Sequence, residues 1–405
     1  MVRKIRSTTT IAAVICGAAL VVSACSSNES SSSSSGGSST SPIVIGNQAD
    51  LTGNATVGVP GNYGVQFAVK QINANGGISG HQIKLVTEDS QGSATGGTSS
   101  ARRLVDVDKV QAIVNTTTSN ASVPAIPAVQ AAKVPFLISA GTDPVLVAPA
   151  NTYVFITPAV SLTYAAQAYL KYFASAGYKS VAVIATTASV GTVGVKLLKD
   201  GASAAGVTLS AIESYGPTDT DFSAQVQAAQ SSHPDAIFVI GDFAGNVAKA
   251  ARNAGIKLPL VYDAATTDPL LVKSLGADAE GVVSFQTQAT QLIDATTAPM
   301  STWKTQFDTA FSSPPAGVPS QFSLEGYQTT FVLAEAIKLA LVKGPLTGDS
   351  IRTALEGLNG FVVGKTDFTY AVPIGYPVTF SASNHAGNST VTPVVVKNGR
   401  FVPVP

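Results

Sequence analysis

From Pro42 to Asp263 the chain alternates short apolar runs with longer stretches of helical periodicity, and it does so in two successive halves. In the first half, residues 43–45, 83–89 (IKLVTED), 111–115 (QAIVN) and 135–139 (PFLIS) read as strands. Between them, residues 63–75 place Val65, Ala68, Val69 and Ile72 at the spacing of one buried helical stripe. Gly76-Gly77 stops that helix, because glycine readily takes the left-handed conformation beyond a helix end. Further helices are expected at 99–107 and 121–133. The second half repeats the theme with strands at 180–186 (SVAVIAT), 207–214 (VTLSAIES), 236–241 (AIFVIG) and 258–263 (LPLVYD). Helices at 162–176, 193–205, 221–230 and 244–255 lie between or beside them. Strands joined by helices build a mostly parallel sheet covered on both faces. The reading is therefore an α/β fold of two Rossmann-like lobes, each with its own sheet. After 281–285 the pattern turns helical at 301–312 and 322–342. It ends with strands near 376–381 and a hairpin at 394–404, where Asn398-Gly399 supplies the turn.

The first forty residues follow a different rule. Arg3, Lys4 and Arg6 precede the apolar run 11–22 (IAAVICGAALVV), which falls short of the roughly 20 apolar residues a transmembrane helix needs. A basic start, a short apolar core and small residues before a cleavage point describe a secretory signal over 1–24. The sequence Val22-Ser23-Ala24-Cys25 looks like a bacterial lipobox, in which Cys25 is lipidated and becomes the first mature residue. The Ser/Gly-rich stretch that completes 25–41 buries too little apolar surface to offset its chain entropy. As a flexible coil it spans roughly 20–24 Å. The expectation is an extracytoplasmic body, moored to the cell membrane by a lipid anchor only.

Charge and composition exclude several partners and chemistries. The chain has 24 basic and 24 acidic side chains, and loss of 1–24 removes three of the former and none of the latter, leaving 21 against 24. No nucleic-acid partner is expected of such a balance. Of the two cysteines, Cys16 leaves with the signal and Cys25 is the lipid site, so the body carries no disulfide. His81, His233 and His385 stand alone in loop-like contexts and are expected to be solvated, which leaves no metal set and no cofactor. HExxH, CxxC, GxSxG and GxxxxGK[ST] patterns are absent. Gly191 with Gly194, and Gly241 with Gly245, follow strands but lack the spacing that lets a backbone approach a pyrophosphate. Glu88 and Asp89 alternate faces of a strand and cannot converge on one substrate. An enzyme is not expected.

A series of local matches then runs along nearly the whole mature chain. It comprises Leu51-Thr52-Gly53, the helix end Ile72-Asn73-Ala74-Asn75-Gly76-Gly77-Ile78 with Gly80, and Asp89 closing the next strand. Val134-Pro135-Phe136 enters a strand, Asp221-Phe222 opens a helix, and Glu325-Gly326-Tyr327 opens another. In this order they resemble the extracytoplasmic solute-binding proteins of ABC importers, of the leucine/isoleucine/valine-binding (periplasmic binding protein type I) family. The resemblance implies a hinged clamshell with a first lobe of 43–158 plus 288–358 and a second of 159–287 plus 359–405. It implies a monomeric receptor that binds a small polar solute, an amino acid or related carboxylate or amide, in the inter-lobe cleft. Its partners would be ABC permease subunits with cytoplasmic ATPases. A detached module that senses a ligand and signals to a membrane partner uses the same fold and stays open as an alternative.

In open α/β sheets, ligands sit beyond the carboxyl ends of the strands. After 111–115 come Thr118, Ser119 and Asn120 at a helix N-terminus, where hydroxyls and free N–H groups make an anion site or simply an N-cap. The resemblance places a ligand α-carboxylate there, with Ser119 as a contact. Gly141 and Thr142, after 135–139, resemble a second contacting loop. On the second lobe the family places a polar or aromatic residue after 236–241 and an acid after 258–263, which selects Asp242, Phe243 and Asp263. A carboxylate there would pair with a ligand ammonium. The position that matches the family's acid best holds Ala264, and Val190 stands where relatives often carry tyrosine. Tyr63, Phe243 and Tyr327 are further candidates for apolar walls.

Overall fold

The computed structural model describes residues 40–53, 55–216, 218–241, 243–264, 269–287, 298–365 and 367–404. Cys25, the signal and most of the tether lie outside them, as does Asp242.

The first lobe opens with β1 (Ile43–Ala49), α1 (Ala55–Ala74), β2 (Ile83–Asp89) and α2 (Ala94–Arg102). It continues through β3 (Ala112–Thr116), α3 (Ser119–Ala131), β4 (Phe136–Ile138) and β5 (Val154–Ile156). These strands form one sheet in the order β2-β1-β3-β4-β5, parallel throughout. The chain then crosses to α4 (Leu162–Ser175), β6 (Ser180–Thr186), α5 (Ser189–Ala202), β7 (Thr208–Tyr215) and α6 (Ser223–Ser231). Next come β8 (Ala236–Ile240), α7 (Ala244–Asn253), β9 (Leu260–Tyr262), α8 (Pro269–Leu275) and β10 (Val283–Gln286). It returns to the first lobe as α9 (Met300–Ala310), α10 (Gln321–Lys343) and α11 (Gly348–Glu356). Finally β11 (Thr392–Lys397) and β12 (Arg400–Pro403) join the second sheet, whose order is β12-β11-β10-β9-β8-β6-β7. Only its β10-β11-β12 edge is antiparallel. Asn398 and Gly399 both take positive φ, 53° and 73°, in the hairpin turn expected of that dipeptide.

Alternation along each strand sends side chains to both faces. In β3, Ala112 and Val114 face the core under α1 and α10, whereas Ile113 faces the core under α2 and α3. In β8, Ile237 and Val239 face one core of the second lobe, and Ala236, Phe238 and Ile240 face the other. Helices on both sides leave the central strands without a wet face, which is why β8 is apolar throughout and the polar residues that close β1 and β3, Asn47, Gln48, Asn115 and Thr116, are buried.

One lobe boundary differs from expectation. The second lobe is expected to resume at 359, yet Phe361, Val363, Val372, Ile374, Val378 and Phe380 are buried in the first-lobe core. Phe380 packs edge-on against Phe155 of β5 at 5.1 Å, and the Val372 N–H donates to the Tyr327 hydroxyl. The handover lies instead between Phe380 and β11. The strand expected at 376–381 is reduced to single bridges, Phe361 to Val378 and Ser381 to Asn384. Tyr327 is a core residue of α10, and Tyr63 packs on Phe311 at 4.9 Å.

Among the described residues, the chain near Pro158, Thr287 and Asn388 comes together between the lobes, and one side chain ties these segments. The buried Asn388 amide donates to Pro158 O at 3.0 Å and to Thr287 O at 2.9 Å. Its own oxygen accepts from the Thr390 N–H at 2.8 Å. His385 lies just upstream and is not solvated: it is 7% exposed, stacked 4.0 Å from Phe155, with Nδ1 3.0 Å from Val154 O. Burial pushes its imidazole below the usual histidine range, against the opposing pull of Glu356 at 3.4 Å.

Candidate functional site

A cavity of about 140 Å³ lies between the lobes, at the carboxyl ends of the strands. On the first-lobe side it is lined by Thr118, Ser119 and Asn120 at the start of α3, and by Ala140 and Thr142. The start of α3 is braced from within. Asn115 donates to Gln48 Oε1 at 2.7 Å and accepts from the Ser122 hydroxyl at 2.9 Å, while Gln48 donates to Gly97 O and to Ser100 of α2. Thr118 makes no side-chain cap to the helix, so the capping role open to it is not taken up. Ser119 Oγ accepts the N–H groups of Thr142 (3.1 Å) and Asp143 (3.2 Å), which fastens the second loop to the first. Its own O–H remains free to donate elsewhere. Positive partial charge collects at such a helix start.

From the second lobe come Ala188, Ser189 and Val190 at the start of α5, with Tyr169, Asp263, Ala264 and Thr287. Asp263 is 2% exposed, and one of its oxygens accepts the Gly241 N–H at 3.1 Å. The Tyr169 hydroxyl accepts the Ala264 N–H at 2.9 Å. Burial, helped by the nearby Asp263 charge, raises the Tyr169 pKa and keeps the phenol protonated. The two walls touch directly: the Ser189 hydroxyl donates to Asp143 Oδ2 at 2.7 Å, and the Leu162 N–H donates to Thr142 O at 2.8 Å.

A third element completes the lining. Gln321, Phe322 and Glu325 of α10 enter beside Val57 of α1. They reach the cavity because α1 and α10 cross at backbone contact. A Cβ on Gly64 would meet Ser323 O at 2.0 Å, and one on Gly326 would meet Gly61 O at 2.3 Å. Glycine at these crossing points brings the α10 start to the strand ends.

Of the expected site residues, Thr118, Ser119, Asn120, Thr142 and Asp263 line one cavity. Gly141 does not: a Cβ there would meet Ile138 at 2.9 Å and Leu146 at 3.1 Å, so the position faces the first core. Phe243 is a correction. It turns into the second-lobe core, 5.8 Å from Tyr215 and 5.9 Å from Phe222, because the apolar cluster under β7 has room for a third ring. Tyr169 and the α10 residues lie outside the expected set. Val190, expected at the position where relatives often carry tyrosine, lines the cavity, and Ser189 enters beside it because both follow β6 as Ser119 follows β3.

Comparison with known proteins agrees with this fold. Residues 42–400 match the model of the family described as periplasmic binding protein. An extracellular ligand-binding receptor from Rhodopseudomonas palustris HaA2 superposes with a TM-score of 0.75 at 22% identity, over 90% of this chain and 99% of that one. The branched-chain amino acid transporter substrate binding protein of Streptococcus pneumoniae, solved in complex with isoleucine, gives 0.73 at 24% identity, over 89% and 97%. A Pseudomonas aeruginosa protein described as an amino acid binding protein is 40% identical over 84 residues. That match spans 20% of this chain and 22% of the Pseudomonas protein's length. The chain belongs to the periplasmic binding protein family. Its fold is the type I arrangement, two α/β lobes with mostly parallel sheets.

Proposed function

We propose that this protein is the solute receptor of an ABC importer, taking a small amino-acid-type ligand into the inter-lobe cavity and presenting it to a permease. The observation that carries the reading is the cavity itself, bounded by the starts of α3 and α5 on opposite lobes and lined by serine and threonine hydroxyls. Such a wall suits a carboxylate, through N–H and O–H donors and the helix dipole. An apolar cavity of about 150 Å³ holds a benzene ring, so this volume suits a comparably compact solute. The isoleucine complex of the Streptococcus relative supports the same class.

Binding would work through closure. A ligand that touches both walls favours the closed arrangement, and only its differential affinity can shift that equilibrium. Cys25 would carry the lipid, with the serine tract as leash. Cys25→Ala is expected to release the protein from membranes into the soluble fraction; retention on membranes rules the anchor out. A thermal-shift panel of amino acids, amides and small carboxylic acids tests the ligand class, since ligand at a hundred times Kd adds about 2.7 kcal/mol. Stabilisation by at least one amino acid is expected. No shift with any compound, together with no solute released on denaturing native protein, defeats the reading.

A further inference from the structure

The first turns of α4 turn one stripe toward the cavity. Leu162, Ala165 and Tyr169 stand at the i, i+3, i+7 spacing of a single helix face, and all three line it. Tyr169 is 4% exposed, and its ring packs against Phe238 at 5.0 Å and Phe285 at 4.5 Å. A ring held on two sides fixes the place of its tip. That tip reaches the cavity margin at Ala264, whose N–H it accepts at 2.9 Å. The phenol thus commits a lone pair to the backbone, while its own proton has no acceptor among the described residues. The hydroxyl of Ser189, on the same wall, is already directed to Asp143.

Water serves such a donor whenever solvent fills the cavity. A solute that displaces the water without replacing its bond leaves a buried O–H unpaired and loses affinity. A site built around a hydrogen bond to its substrate discriminates strongly for this reason against the analogue that lacks the group. We infer that Tyr169 is a specificity-determining donor of the second-lobe wall, its hydroxyl bonding an oxygen of the bound solute. The cavity then selects a solute that carries a hydroxyl, carbonyl or amide oxygen besides the carboxylate seated at α3, and it rejects the isostere with a methyl group in that place. The rest of the α4 stripe, Leu162 and Ala165, is apolar, so the oxygen has to lie at the Ala264 end of the cavity. Ser119 and Tyr169 belong to different lobes, and each has its acceptor side filled by backbone N–H groups and its proton left for the ligand. A solute with both oxygens is gripped from the two sides at once, which gives it the differential affinity that closure requires.

This inference rests on the cavity being the binding site, so the test separates the two. Calorimetry would compare pairs of matched shape on the intact protein and on Tyr169→Phe: threonine with valine, asparagine with leucine, and 3-hydroxybutyrate with isovalerate. In the pair that binds best, the unaltered protein is expected to prefer the oxygen-bearing member by at least about tenfold. Tyr169→Phe is expected to bring that ratio close to one, chiefly by weakening the oxygen-bearing member. The variant also removes the acceptor of the Ala264 N–H, but that loss weakens both members alike and leaves their ratio unmoved. A folded Tyr169→Phe that keeps the full ratio, whatever its absolute affinities, overturns the inference while leaving the receptor reading intact. Should the variant not fold, the unaltered protein decides alone: equal affinities within every pair that binds, or a preference for the apolar member, overturn the inference. Binding of no compound at all removes the receptor reading and this one together.

Discussion

The two walls of the cavity are built by different means. The first-lobe wall is cross-braced by side chains: Ser119 fastens the loop at 142–143, and Asn115, Gln48 and Ser122 fasten the start of α3 to the sheet. The second-lobe wall is fastened by separate side chains, with the Gly241 N–H donating to Asp263, the Ala264 N–H donating to Tyr169 and the Ser284 hydroxyl donating to Asp263 O. Loss of the Ser119 hydroxyl releases two loop bonds at once, whereas loss of the Tyr169 hydroxyl releases one of those on the other side. The first wall is thus a prepared platform whose bracing is concentrated in few residues.

Replacing the brace is the strongest way to break that contrast. Ser119→Ala leaves two half-buried N–H groups, of Thr142 and Asp143, without their acceptor, at up to about 1–3 kcal/mol each. Affinity for the best ligand of the panel is expected to fall roughly ten- to a hundredfold by calorimetry, with far-UV circular dichroism unchanged. An affinity within twofold of the parent removes the platform idea. Phe243→Ala makes the complementary case on the other wall. Removing a largely buried ring is expected to cost about 2–3 kcal/mol in urea unfolding and to leave Kd alone. A shift in Kd with unchanged stability would return Phe243 to the ligand.

Smaller effects sharpen the boundary between the walls. Ser189→Ala deletes the direct bond to Asp143, a net loss of about 0.5–1.5 kcal/mol. Because that bond touches no ligand, every ligand should weaken by the same modest factor; selective loss for one compound means that Ser189 contacts it. The smallest expected effect is a pH dependence set behind the first wall. His385 is held neutral by burial, so its folded pKa lies below the unfolded value near 6.5. As pH falls, the unfolded chain takes up its proton first. The stability His385 confers is therefore present above that range and lost as pH drops toward 5. Melting of the parent should fall between pH 7 and 5 more than melting of His385→Gln; parallel curves discard the assignment.

What could be read from the chain alone follows the distance between interacting residues. The α3 start and Thr142 were legible because each stands just after an apolar strand, where the fold places its ligands. Asp263 was legible for the same reason, although the best-matching position holds Ala264. Glu325 was not, since it stands in α10, more than two hundred residues from Ser119, in a helix whose apolar content reads as core. What brings it in is the glycine contact between α1 and α10, and no local pattern announces which helices will cross. His385 misled for the converse reason: a loop histidine looks wet until a distant Phe155 covers it. The boundary expected at 359 failed because residues 361–380 have little regular structure, yet their apolar side chains fill the first core.

Asn388 fixes a mechanical property of the whole molecule. One amide clasps two further segments of the chain, at Pro158 and at Thr287. A connector that slid past its companions would break those two bonds. In the closure proposed above, rotation about a shared fulcrum beside Pro158 and Thr287 keeps them. A lever pivoting there sweeps widest at the far rim, so small turns near Thr287 translate into large changes of gape.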